Sequence, residues 1–132
     1  MIEIRKLTKE TFDLVKANSK DASSPYVQCP ETGIEAWDGE QAIGVAGIID
    51  LWSGVGEAWM ILHEDVQGLT LCRAILKMFR ALTSDLRRVQ ITVREGWPQA
   101  HKLARHLGMT EEGTLKGYCP DGENAVMYSK VK

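Results

Sequence analysis

The sequence predicts an α/β (α+β) protein: a mixed, largely antiparallel sheet flanked by helices, in the order β-α-β-β-β-α-β-α-β-β. Three stretches carry that prediction. Leu71, Ile75, Met78, Phe79 and Leu82 recur at i, i+4, i+7, i+8 and i+11, while Arg73, Lys77 and Arg80 fall on other faces, as in an amphipathic helix. Val89, Ile91 and Val93 alternate with Gln90, Thr92 and Arg94, the period of a half-buried strand. Between Gly33–Trp37 and Gln41–Leu51, Asp38-Gly39 supplies the backbone freedom of a tight hairpin turn.

The other elements follow in order. Ile2, Ile4 and Leu7 predict a short first strand, and Thr8 or Thr11 caps a helix that carries Phe12 and Val15. Asn18 to Pro25 is a polar loop. The run Ala42, Ile43, Val45, Ala46, Ile48 and Ile49 is apolar nearly throughout and predicts a strand covered on both faces. Ser53-Gly54-Val55-Gly56 turns the chain into a strand from Glu57 to Leu62, and His63 to Leu69 bends it into the Leu71–Leu82 helix. Pro98 opens a further helix with Ala100, Leu103, Ala104 and Leu107 inside, and Gly108 closes it. Two last strands, about Gly113–Tyr118 and Ala125–Val131, flank the Pro120-Asp121-Gly122 turn.

At 132 residues the chain suits a single domain. Its 26% charged and 44% hydrophobic residues are ordinary globular values. A net charge of −2 provides no basic field for nucleic acid. No apolar run reaches membrane-spanning length, and Met1-Ile2-Glu3-Ile4-Arg5 does not read as a signal peptide. Cys29, Cys72 and Cys119 are odd in number and lack metal-ligand spacing, which predicts free thiols in a cytoplasmic protein and no metal site.

Strand, loop and helix in succession aim the helix's first free N–H groups and its dipole at one spot, which attracts an anion such as phosphate. The residues there, Leu62 to Leu76, resemble the acetyl-CoA loop of the GCN5-related N-acetyltransferases. That pattern is a strand with an aliphatic end, Gln/Arg-x-x-Gly-x-Gly/Ala, then a helix. Leu62 matches the aliphatic end, Gln67-Gly68 the Gln-Gly pair, and Arg73-Ala74-Ile75-Leu76 the helix opening. The signature glycines fall on Thr70 and Cys72, where a Cβ crowds the approach of a pyrophosphate.

The order of elements matches that family across nearly the whole chain. The resemblance implies one acetyltransferase-like domain over residues 1–132. It implies acetyl-CoA bound by the backbone from Gln67 through Gly68, Leu69, Thr70, Leu71 and Cys72 to Arg73, with Arg73 adding charge. It further implies a pantetheine arm beside Met60, Ile61 and Leu62, in a splay between Met60–Leu62 and Val93–Glu95. The acceptor would be a small-molecule or peptide amine that attacks the thioester directly. The family's acid, a tyrosine in the following helix, falls on Ala104 and its asparagine on Trp97, leaving Tyr118 and Tyr128 as the tyrosines of the C-terminal half that could substitute.

Glu57 is the candidate base, with a solvated glutamate as the plain alternative. His63 follows the strand, where a loop histidine is ordinarily exposed, and His101 and His106 are expected on the solvated side of their helix. Trp37, Trp52, Trp59 and Trp97 suit a pocket or, more simply, the core. Cys72 near a helix N-terminus should have some thiolate character. The Glu57-Ala58-Trp59 strand and the Gly108-Met109 and Tyr118–Gly122 segments also resemble a phage-encoded branch of the family found near virion-assembly genes. That likeness implies an alternative: a non-catalytic binding or assembly protein in the host cytoplasm, acting as a homodimer or with a phage structural partner.

Overall fold

Among the described residues, ten elements follow the predicted order: β1 (Ile2–Lys6), α1 (Lys9–Ala17), β2 (Ile34–Asp38), β3 (Gln41–Trp52), β4 (Val55–Leu62), α2 (Gly68–Thr83), β5 (Arg88–Arg94), α3 (Pro98–His106), β6 (Thr110–Leu115) and β7 (Ala125–Val131). The computed structural model describes residues 1–19 and 28–132, so the polar loop expected up to Pro25 lies, from residue 20 on, outside the described residues. The strands form one sheet in the order β1-β2-β3-β4-β5-β7-β6. β4 and β5 run parallel, while β1–β2, β2–β3, β5–β7 and β6–β7 are antiparallel, a mixed and mostly antiparallel sheet as expected. The chain divides into two compact units: Met1–Ile48 with Trp59–Ser84, and Ile49–Ala58 with Asp85–Lys132.

In the first unit, Asp38 pairs with Gln41, so the hairpin turn consists of Gly39-Glu40 rather than Asp38-Gly39, and only Gly39 takes a positive φ, 60°. Glycine in the first central position suits the twist of the two strands. Further along, the register shifts: Trp37 faces Ala42, but Ala36 faces Gly44. Ile43 is thus the extra residue of a bulge. It joins Ala46 on the side of Ala74 and Met78 of α2, while Ala42 and Val45 face Phe12 and Val15 of α1. Both faces of this half of β3 are covered, which accounts for its apolar run.

α2 buries Ala74, Ile75, Met78 and Phe79, with Leu71 and Leu82 partly buried at the margins. Full burial of such a large side chain stabilises the fold by about 1.5–3 kcal/mol. Thr8 caps α1 by accepting the Thr11 N–H at 3.2 Å. The buried Glu35 carboxylate accepts the Thr8 N–H at 3.0 Å and the Trp37 Nε1–H at 3.0 Å, which places a negative charge at the positive end of α1.

The second unit holds the outer half of the β3–β4 hairpin. Here the expectation of a β3 strand covered throughout fails: Ile49, Leu51 and Trp52 are exposed, Trp52 by 67%. Alternation decides burial only where something lies against the face, and no described helix packs there. β4 pairs with β5 from Val55↔Arg88 to Glu57↔Gln90, and β5 pairs with β7 along its whole length. β6 begins at Thr110, three residues before the expected Gly113, and ends at Leu115. Its polar, exposed residues gave no apolar signal; pairing with β7 creates the strand, and Gly117 at φ 65° turns the chain out of it. Gly108, at φ 84°, closes α3 as predicted.

Candidate functional site

β4 delivers the chain to the head of α2 through a short, well-tied loop. The His63 N–H donates to the Ile43 carbonyl at 2.8 Å, and the Glu64 N–H donates to the Asn18 carbonyl at 2.8 Å. Contrary to expectation, His63 is buried, at 7% exposure: its ring folds back so that Nδ1 accepts the Asp65 N–H at 3.1 Å. A backbone amide offers only a donor, so Nδ1 is the acceptor and the neutral ring carries its proton on Nε2. His63 is thereby a turn-stabilising residue, and its Nδ1 is not available as a base.

Gly68 then takes a φ of 71°, a left-handed conformation that a side chain would strain, which explains the glycine of the Gln-Gly pair. Gln67, the cap residue, makes no side-chain capping bond, and the first turn of α2 holds no acidic residue. The leading N–H groups and the positive end of the dipole therefore lack a side-chain partner. Gln67, Gly68, Leu69, Cys72 and Arg73 are exposed, and Thr70 and Leu71 half-buried. Such an end is suited to an anion, with Arg73 one turn further on. Of the strand residues assigned to the cofactor arm, Ile61 is buried against the α1 cluster, while Met60 and Leu62 pack against the α2 cluster. Their side chains serve the core.

Glu57 lies in mid-strand, half-buried, directly opposite Gln90. Gln90 Nε2 donates to Glu57 Oε1 at 3.1 Å, so the carboxylate is oriented on one oxygen and keeps the other. This partner was readable only once the parallel register was known. Ala104, where the family's tyrosine would stand, is fully buried and offers no polar group. Tyr118 is 54% exposed in the segment after β6, and Tyr128 is fully buried. The Tyr128 hydroxyl lies 2.8 Å from His101 Nδ1 and accepts from Arg105 Nη1 at 3.2 Å.

His101 is accordingly not solvated as expected: it is half-buried between Tyr128 and the end of β5, whereas His106 is exposed. The signal for that cluster was present, since Tyr128 falls in register with the apolar Val126 and a buried phenol needs a partner. Trp37, Trp59 and Trp97 are half-buried, and Trp59 meets Phe12 edge-on at 6.1 Å. All three cysteines are free, Cys72 being exposed. Among the described residues no group of His, Cys, Asp and Glu is arranged to hold a metal ion, and no helix is long and apolar enough to cross a membrane.

No protein-family model matches the chain, and no curated protein matches it by sequence. Solved structures do match its shape. A spermidine N-acetyltransferase SpeG chimera from Vibrio cholerae and hSSAT superposes with a TM-score of 0.79 at 16% identity, covering 98% of this chain and 94% of that one. A ribosomal-protein-alanine N-acetyltransferase from Brucella melitensis gives 0.75 at 15% identity, covering 98% and 99%. An acetyltransferase of the GNAT family from Streptococcus pneumoniae gives 0.72 at 13% identity over 100% of both chains. The fold is that of the GCN5-related N-acetyltransferases.

Proposed function

We propose that residues 1–132 act as one acetyltransferase domain that transfers an acetyl group from acetyl-CoA to a small-molecule or peptide amine. The observation that carries this reading is the open N-terminus of α2. It follows β4 in an acetyltransferase fold, with Gly68 in a left-handed conformation and neither a capping side chain nor an acidic residue in its first turn. In this reading the pyrophosphate rests on the backbone from Gln67 to Arg73, Arg73 pairs with a phosphate, and the pantetheine runs beside the backbone of Met60, Ile61 and Leu62.

Glu57 takes the proton from the acceptor amine, and Gln90 holds one of its oxygens in place. The free amine attacks the thioester carbonyl, the C–S bond breaks, and the second proton of the amine passes through water to the departing thiolate. Tyr128 is not the acid, because its hydroxyl is engaged within the protein; Tyr118 is the exposed tyrosine left for that role. Without a positioned acid the transfer proceeds mainly through positioning and is slow on generic amines.

The Cβ atoms of Thr70 and Cys72 favour a second reading, in which the fold is retained for binding or assembly without chemistry. One pair of measurements separates the two. The melting temperature is recorded with and without acetyl-CoA, and thiol release is followed against a panel of amines for the wild type and Glu57→Gln. The first reading expects a higher melting temperature with acetyl-CoA, since a ligand bound only by the native state stabilises it. It also expects kcat to fall by about 10²–10⁴ in Glu57→Gln. Turnover that survives the substitution removes Glu57 as the base, and no melting shift together with no thiol release moves the assignment to the second reading.

A further inference from the structure

The sheet face that carries Glu57 also carries a line of polar side chains, all within the second unit. Glu57 pairs with Gln90 and Gln90 with Ser129, so the three stand in a row across β4, β5 and β7. Arg88, two residues before Gln90 on the same strand, shares that face. Its Nε–H donates to Gln90 Oε1 at 3.3 Å, and Gln90 Nε2 donates to Glu57 Oε1 at 3.1 Å. A guanidinium only donates and a carboxylate only accepts, so one orientation of the amide serves both: oxygen towards Arg88, NH2 towards Glu57.

Arg88 is itself held in place. Nη1 and Nη2 donate to Glu112 Oε2 and Oε1 at 2.8 and 2.7 Å, and the Ser129 hydroxyl donates to the same carboxylate. A two-pronged contact fixes the plane of a guanidinium, and with it the direction of the Nε–H. The bonds therefore run in one sense, from the Arg88–Glu112 pair through the Gln90 amide to one oxygen of Glu57. Without the Nε–H, nothing in this line stops the amide from turning over and setting its oxygen against the carboxylate, acceptor against acceptor.

We propose that Arg88 is a positioning residue for Glu57: by fixing the Gln90 amide it aims the carboxylate that takes the proton of the acceptor amine. This rests on the reading of Glu57 as the base given above. Thiol-release kinetics and melting temperatures are compared for the wild type, Arg88→Lys, Gln90→Leu and Glu57→Gln, and for Arg88→Lys and Gln90→Leu each combined with Glu57→Gln. Lysine keeps the charge, but a single ammonium on a flexible stem does not clasp both Glu112 oxygens and hold Gln90 from one plane. Leucine removes the amide and leaves the Arg88–Glu112 pair intact.

The expected result is a kcat about tenfold lower in Arg88→Lys and in Gln90→Leu, the order of one lost hydrogen bond, with the KM for acetyl-CoA unchanged. In the Glu57→Gln background neither substitution lowers the residual kcat by more than about twofold, because groups that act through one residue are not additive. An equal fall in both backgrounds, or a lowered melting temperature with an unchanged kcat, overturns the inference and leaves Glu57 standing as the base. Wild-type turnover in Glu57→Gln, or no thiol release by the wild type, overturns both. If one of the two substitutions prevents folding, the other decides alone.

Discussion

Arg88 and Glu112 meet in a two-pronged contact, Nη1 to Oε2 at 2.8 Å and Nη2 to Oε1 at 2.7 Å, and the Ser129 hydroxyl also donates to Glu112. The Arg88 guanidinium first, and the hydroxyl second, lower the Glu112 pKa from 4.5 to about 2. A carboxylate whose folded pKa lies below its unfolded value stabilises the fold above the unfolded pKa. That contribution is lost as pH falls from about 4.5 towards 2. Urea midpoints measured across this window should fall with pH in the wild type and fall less steeply in Glu112→Gln. Neither partner was legible as a pair in the sequence, since Arg88 opens β5 and Glu112 sits at the β6 bulge. Glu57 could be named from its strand, whereas its orienting Gln90 required the register. At this scale the sequence yields candidates, and pairing between strands supplies their partners.

Among the elements, α2 was the most legible, because its inner face has to repeat at helical spacing wherever it packs. β6 was the least legible: an exposed strand at the edge of a sheet needs no apolar alternation, and its bounds come from the hydrogen bonds of β7. The head of α2 yields one prediction. Thr70→Gly with Cys72→Gly should tighten acetyl-CoA binding if the two Cβ atoms crowd the pyrophosphate, and titration calorimetry reads the change; unaltered or weaker binding refutes the crowding. A second prediction concerns β3. A Cβ on Gly47 would lie 2.7 Å from the Trp59 ring, and one on Gly44 would lie 2.9 Å from the Ile61 carbonyl oxygen. These glycines let the hairpin close over its own tryptophan. Gly47→Ala should therefore cost about 1–3 kcal/mol, the range for overpacking, measured by urea unfolding; an unchanged stability would mean that Trp59 yields without cost.

For the molecule as a whole, the order of the strands in the chain differs from their order in the sheet, and the difference falls on β7. It is the last strand in sequence, yet it lies between β5 and β6 and pairs with both. All elements of the first unit, by contrast, lie within the first 84 residues. Synthesis is vectorial, so the helices and hairpin of the first unit can pack while β5 and β6 still await the strand that joins them. Until β7 arrives, β5 lacks its antiparallel neighbour and β6 has no neighbour at all, and unpaired strand edges of that kind invite association between chains. Nascent chains that end at Asn124, arrested behind a linker long enough to clear the ribosome, should resist protease over residues 28–48 and Trp59–Ser84 while remaining open to cleavage from Asp85 onward, and chains extended through Val131 should be protected in both. Equal cleavage of both segments in the shorter chains would show that the units fold only together.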